Sequence, residues 1–201
     1  MASKNNNGTY LGINYESLEE LQVLWFFEEL MNAGIVRSVE RCNSYPLYEG
    51  KKLPYIQTKE LKKTTKIIDK EYTLLREHIY TPEFLVVWNQ TPGLKFLTEI
   101  TLYSLPKKPD TVFFFNHYKD GYPVTYVEVK PDFQMHNMTR EFTINQKWMY
   151  SKYKIYINLV KPKELFTSTF APELFKFTPT KLEKKIYPYR SLNQFLNDNT
   201  N

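Results

Sequence analysis

Glu128 and Lys130 stand two residues apart in the apolar, β-branched run Val124-Thr-Tyr-Val-Glu-Val-Lys130. In a strand, successive side chains alternate faces, so Glu128 and Lys130 point one way while Val127 and Val129 point to the other, apolar side. A carboxylate and an ammonium then share a strand end. Such a pair can hold a divalent cation on the carboxylate and set the lysine beside an attacking water or the charge developing on a phosphate. Glu-x-Lys occurs four times, beginning at Glu49, Glu60, Glu128 and Glu183. Only the third lies in an apolar strand, where a carboxylate is costly unless something pairs with it. The plain alternative is a solvated ion pair on one strand face.

A metal site of this kind needs a second acid on a neighbouring strand. Pro-acid dipeptides occur four times, at Pro82-Glu83, Pro109-Asp110, Pro131-Asp132 and Pro172-Glu173, and only the first two open a predicted strand ahead of Glu128. Asp110 is nearer in sequence. The Asp120-Gly121 turn pairs the run 111–118 with the strand ending at Lys130, and a two-residue loop there sets Phe113 opposite Glu128 and Thr111 opposite Lys130. Asp110 then faces the other side of the sheet unless a bulge shifts the register. Glu83 opens Phe84-Leu-Val-Val-Trp88 behind a proline, a strand-start position that tolerates the missing N–H. Glu83 is the preferred second acid and Asp110 the alternative.

Several elements must position these groups. Ser17 followed by LEELQVLWFFEELMNAG reads as a helix with Ser17 as N-cap and Gly34 as its stop, and Ser17-x-x-Glu20 is a capping box. Strand and turn follow over 35–53. The stretch 51–70, with seven lysines against Glu60 and Asp69, fits either a helix or a hairpin. Runs at 78–88, 95–103, 111–118 and 124–130 suggest an antiparallel meander, a second helix spans about 139–153, and a last strand spans 154–160. The remaining residues carry four of the twelve prolines and read as an extended C-terminal appendage packing on the core. The expected architecture is α+β, a mixed central sheet flanked by helices, with a core over 1–160 and an extension over 161–201.

Composition bounds the rest. At 201 residues, one core with embellishments is expected. A mean hydropathy of −0.52 and apolar runs no longer than a few residues argue against membrane insertion, and the first fifteen residues hold no signal-peptide run. The single cysteine, Cys42, leaves no intramolecular disulfide or thiolate zinc cluster and fits a reducing, cytoplasmic setting. No phosphate-cradling glycine loop or HExxH motif occurs. A net charge of +5 with 16% aromatics leans toward nucleic acid, though most rings in any protein fill cores.

Tyr80-Thr-Pro-Glu-Phe-Leu-Val followed by Tyr126-Val-Glu-Val-Lys130 resembles the PD-(D/E)xK nuclease superfamily, in particular its phage-encoded and transposon-encoded endonucleases. The resemblance covers about residues 12–160 and includes the first helix, where members often carry a glutamate at the position of Glu20. It implies a restriction-endonuclease-like αβββαβ core in which Glu83, Glu128, the Val129 carbonyl and Glu20 hold Mg²⁺ or Mn²⁺ while Lys130 assists hydrolysis of a DNA phosphodiester. Two departures stand out: the usual aspartate is Glu83, and the long interval to Glu128 makes the region 95–118 a β-hairpin insertion. On the second helix, Gln146 and Lys147 resemble the family's polar positions, and Arg140 could reach the DNA backbone. Trp148, Phe142 and Met149 read as core. Lys62, Lys63 and Lys66 would supply sequence-independent phosphate contacts. The expectation is a Mg²⁺-dependent deoxyribonuclease with DNA as partner, cytoplasmic or in the host cytoplasm if phage-encoded, with a homodimer allowed. The alternatives are a catalytically inactive nuclease-like DNA-binding or structural phage protein and, further off, an RNA-binding protein.

Overall fold

The computed structural model describes residues 7–62, 64–90, 95–100, 112–131, 136–176 and 189–198. In chain order the elements are β1 (Gly8–Tyr10), β2 (Ile13–Tyr15), α1 (Leu18–Asn32), β3 (Val36–Arg41), β4 (Tyr45–Tyr48), β5 (Lys51–Leu61), β6 (Thr64–Leu75), β7 (His78–Tyr80), β8 (Phe84–Trp88), β9 (Leu97–Glu99), β10 (Phe113–Phe115), β11 (His117–Lys119), β12 (Tyr122–Val129), α2 (His136–Tyr153), β13 (Ile157–Val160), α3 (Pro162–Ser168), α4 (Glu173–Lys176) and α5 (Leu192–Asp198). They divide into two compact units, one of residues 1–43 and 82–201, the other of residues 44–81. The protein is α+β with a mainly antiparallel, mixed sheet.

In the first unit the sheet runs β11-β12-β8-β3, with β13 parallel to β12 and all other pairs antiparallel. Both β8 and β12 read as near-continuous apolar runs because both of their faces are covered. Phe84, Val86, Trp88, Val127 and Val129 belong to the main core, with the α1 residues Val23, Leu24, Phe26, Phe27 and Leu30. Rings knit this core together: Phe27 meets Trp88 edge-on at 6.2 Å, and Phe26 stacks on Phe170 at 4.5 Å.

α1 begins and ends as its sequence dictates. The Ser17 hydroxyl accepts the Glu20 N–H at 3.1 Å, and at the far end the Gly34 and Ile35 N–H groups bond the Met31 and Leu30 carbonyls. That Schellman closure requires the left-handed backbone found at Gly34 (φ 69°). The Asp120-Gly121 turn likewise has both central residues at positive φ, 53° and 79°, the two-residue hairpin geometry expected there.

Three expectations are corrected. The predicted register holds for β11 and β12, His117 opposite Val124 through Lys119 opposite Tyr122, but Phe113 does not face Glu128. From Tyr126 onward that edge of β12 belongs to β13, with Leu159 opposite Glu128. The region 95–118 holds no hairpin among the described residues: β9 and β10 pair in parallel, Phe113 opposite Leu97. The long hairpin is β5–β6 instead, which settles the ambiguity over 51–70. The third correction concerns the C-terminal residues, which form α3, α4 and α5 rather than an extended appendage, and Leu165, Phe166, Phe170 and Phe195 join the main core. No helix among the described residues is long and apolar enough to cross a membrane.

Candidate active site

At one end of the sheet, β3 finishes at Arg41, β8 starts at Phe84 and β12 finishes at Val129. Phe84 pairs with Val127 on one side and with Arg41 on the other. Continuing the ladder by one residue brings Glu83 beside Glu128 and Cys42. The main chain follows this: the Glu83 N–H donates to the Val127 carbonyl at 3.0 Å, and the Cys42 N–H donates to the Glu83 carbonyl at 3.4 Å. The Glu83 carboxylate then turns along β12 and accepts the Val129 N–H.

Glu128 is buried, and its Oε1 lies 2.6 Å from the Lys130 ammonium, as strand alternation required. Burial alone would lower the Lys130 pKa, but the hydrogen bond and charge of Glu128, followed by Glu83 and Glu141, raise it above its ordinary value. Lys130 is therefore a firm cation at neutral pH. Its side chain keeps 22% of its surface exposed.

Glu20 is also buried, near the start of α1. Its Oε2 accepts Arg41 Nη2 at 2.7 Å and the Glu16 N–H at 3.2 Å, while Oε1 accepts the Ser17 hydroxyl at 3.3 Å. Arg41 in turn donates to the Glu83 carbonyl at 3.3 Å and covers the Phe84 ring. In this cluster three carboxyl groups, Glu20, Glu83 and Glu128, meet two cations, Arg41 and Lys130. The surplus negative charge falls on Glu83. Burial first, then Glu128 and Glu20, push its pKa up to about 9 against the opposing Val129 N–H and Lys130. Glu83 therefore holds a proton at neutral pH.

The donors are oxygen atoms with excess negative charge, the chemistry hard divalent cations take. Glu83 and Glu128 are the acids brought together from two strands. Among the described residues no three His, Cys, Asp or Glu side chains gather tightly enough to share a metal ion. The oxygens of Glu20 serve the helix cap and Arg41. Asp110, the alternative to Glu83, and Lys63 lie outside the described residues.

The expected DNA contacts are divided between the two units. Lys62 and Lys66 are exposed in the second unit, and Arg140 and Lys147 are exposed on α2. The Gln146 amide donates to the Ile157 carbonyl at 2.6 Å and ties α2 to β13. Trp148, expected in the core with Phe142 and Met149, is instead 43% exposed. The helical phase that buries Phe142 and Met149 carries their neighbour outward.

Sequence reasoning missed Arg41, Glu141 and Cys42. Arg41 pairs with an acid 21 residues earlier, and no local signal announces such a pair. Glu141, in the second turn of α2, acts on Lys130 through the fold alone. The half-buried Cys42 thiol, pushed up to about 12 chiefly by desolvation, is inert beside the acids. No protein-family model, curated protein or solved structure matches the chain.

Proposed function

We propose that this protein is a metal-dependent nuclease that hydrolyses DNA phosphodiester bonds, built on a PD-(D/E)xK-like core. One observation carries the reading: two acids from adjacent strand ends, Glu83 and Glu128, stand beside a charged lysine, and burial, reinforced by the charge of Glu128, raises the Glu83 pKa. The order of elements supports it as well. One helix, α1, precedes three strands that are neighbours in the sheet and follow one another in the same order along the chain, β3, β8 and β12, with β4–β7 and β9–β11 inserted between them; α2 and the parallel strand β13 follow.

Glu83, Glu128 and the Val129 carbonyl would hold Mg²⁺ or Mn²⁺. When bound, the ion supplies an activated water and a positive charge for the phosphate. The chain's own residues do the rest. Glu83 must first lose its proton, and the Val129 N–H fixes the direction of its carboxylate. Lys130, held as a cation by Glu128, is suited to orient a water and to offset charge on a phosphate oxygen rather than to remove a proton. Glu20 keeps Arg41 in place, and Arg41 holds the Glu83 main chain. We assign Glu20 this positioning role ahead of metal ligation.

Plasmid cleavage in Mg²⁺ and in EDTA, for the native chain and for Glu128→Ala and Lys130→Ala, tests the assignment. Nicking that needs Mg²⁺ and drops at least about 10²-fold in each variant is expected. Full-rate cleavage in either variant would sink it. A second reading is favoured by the same close Glu128–Lys130 pair and protonated Glu83, which could equally be a closed structural cluster. Tight DNA binding with no metal-dependent cleavage of linear, branched or single-stranded substrates would select that non-catalytic DNA-binding module.

A further inference from the structure

The β5–β6 hairpin has two chemically opposite faces. Its register, from Lys52 opposite Thr73 to Leu61 opposite Thr64, is unbroken over ten pairs. Alternation puts Leu53, Tyr55, Gln57, Lys59 and Leu61 on one face with Thr64, Lys66, Ile68, Lys70 and Tyr72. That face carries three lysines, no acid and two tyrosines. The opposite face carries Glu60, Asp69 and Glu71 against Lys52 alone, a net charge of −2 from one lysine and three acids. The 3.1 Å ion pair between Lys52 and Glu71 joins two residues of that second face, as this assignment requires.

Segregation of this kind needs a cause. Lysines that merely keep an open ribbon soluble would be interspersed with acids and paired across the strands. Here Lys59 stands directly opposite Lys66, a like-charge pair that weakens the ribbon unless an anion lies over it. Of the described residues from Lys51 to Glu77, all but Ile68 are exposed, so the hairpin has no core of its own. A free two-stranded hairpin is marginal in water and is completed by what covers it.

We propose that the Lys59–Lys66–Lys70 face, with Tyr55 and Tyr72, is a docking surface for the phosphate backbone of duplex DNA. An eleven-residue strand extends about 35 Å, and a two-stranded ribbon fits the major groove of a duplex. A second copy of the chain fits less well. Like faces repel, and stacking a basic face on an acidic one is a head-to-tail contact that does not close. The inference rests on the nuclease reading only in naming DNA as the polyanion, and it is tested without catalysis.

The experiment is fluorescence anisotropy with a 20-base-pair duplex in EDTA across a salt series, using the full chain. Combined Lys59→Gln, Lys66→Gln and Lys70→Gln should weaken binding about tenfold or more at 0.1 M salt and flatten the log–log salt slope by about three. The matching arginine triple should restore both. Combined Glu60→Gln, Asp69→Asn and Glu71→Gln on the other face should leave the slope unchanged. Equal slope changes from the two neutralised triples would overturn the proposal, as would displacement of the duplex by polyglutamate or tighter binding of RNA. Binding is read in EDTA, where no metal-dependent cleavage occurs, so failure of the cleavage reading leaves this result standing and the reverse also holds.

Discussion

At the scale of single residues, the site's defining property is the proton on Glu83, and it has a consequence for stability. An unfolded glutamate titrates near pH 4.3, whereas the folded carboxyl titrates near 9. Between these values the folded chain keeps a proton that the unfolded chain has released. The contribution is therefore fully present below about pH 4.3 and is lost as pH rises through about 9. Glu83→Gln cannot ionise, and its amide oxygen can still accept the Val129 N–H. In EDTA the variant should match the native chain at pH 4 and exceed it at pH 8 in urea unfolding by as much as about 5 kcal/mol. Parallel pH profiles for the two proteins would show that Glu83 is ionised in the fold. Glu128 and Lys130 could be found in the sequence because strand alternation is local and an acid in an apolar strand is conspicuous. Arg41 could not, since its acid partner comes from the helix before it and only the fold brings the two together.

Elements place these residues, and the sheet edge is where sequence reasoning lost the thread. Turn chemistry at Asp120-Gly121 correctly set the register of β11 on β12, but nothing local says how long a pairing lasts. Pairing ends because β13 takes the same edge, and a buried side chain bridges the junction. Asn158 accepts the Phe114 N–H at 2.8 Å and donates to the Phe114 and Tyr126 carbonyls at 2.9 and 3.1 Å. It stands in for ladder bonds that β10 would have made with β12. Asn158→Ala removes all three bonds together, leaving main-chain groups of β10 to find other partners. A loss of about 2–4 kcal/mol in chemical unfolding is expected, and Asn158→Asp, which keeps only the acceptor, should recover little of it. A cost below about 0.5 kcal/mol for the alanine variant would mean the junction is held by packing alone. α1 was legible to its caps because Ser17 and Gly34 are unambiguous signals. The parallel β9–β10 pair was not, since three-residue strands carry no sign of direction.

At the scale of the molecule, the surplus of positive charge and the many rings part company. The phenylalanines Phe26, Phe27, Phe84, Phe96, Phe113, Phe166, Phe170 and Phe195 are fully buried in the first unit. The seven lysines of 51–70 lie in the second. Hydrophobic periodicity could not resolve that second stretch because neither face of the hairpin is buried, so no period is imposed on its side chains. The same lack of burial sets its local stability. Segments with few buried apolar contacts open at low free energy, whereas a ring-filled core opens only with global unfolding. Native-state digestion with trypsin should therefore cut first among Lys52, Lys59, Lys62, Lys66 and Lys70. Arg37 and Lys147, held in β3 and α2, should survive to much longer times. Mass spectrometry of the early fragments reads this directly, and tryptophan fluorescence of the nicked protein should stay native, because Trp25, Trp88 and Trp148 all belong to the first unit. Early cuts at Arg37 or Lys147, or fluorescence lost in step with the first hairpin cut, would show that the two units open together rather than separately.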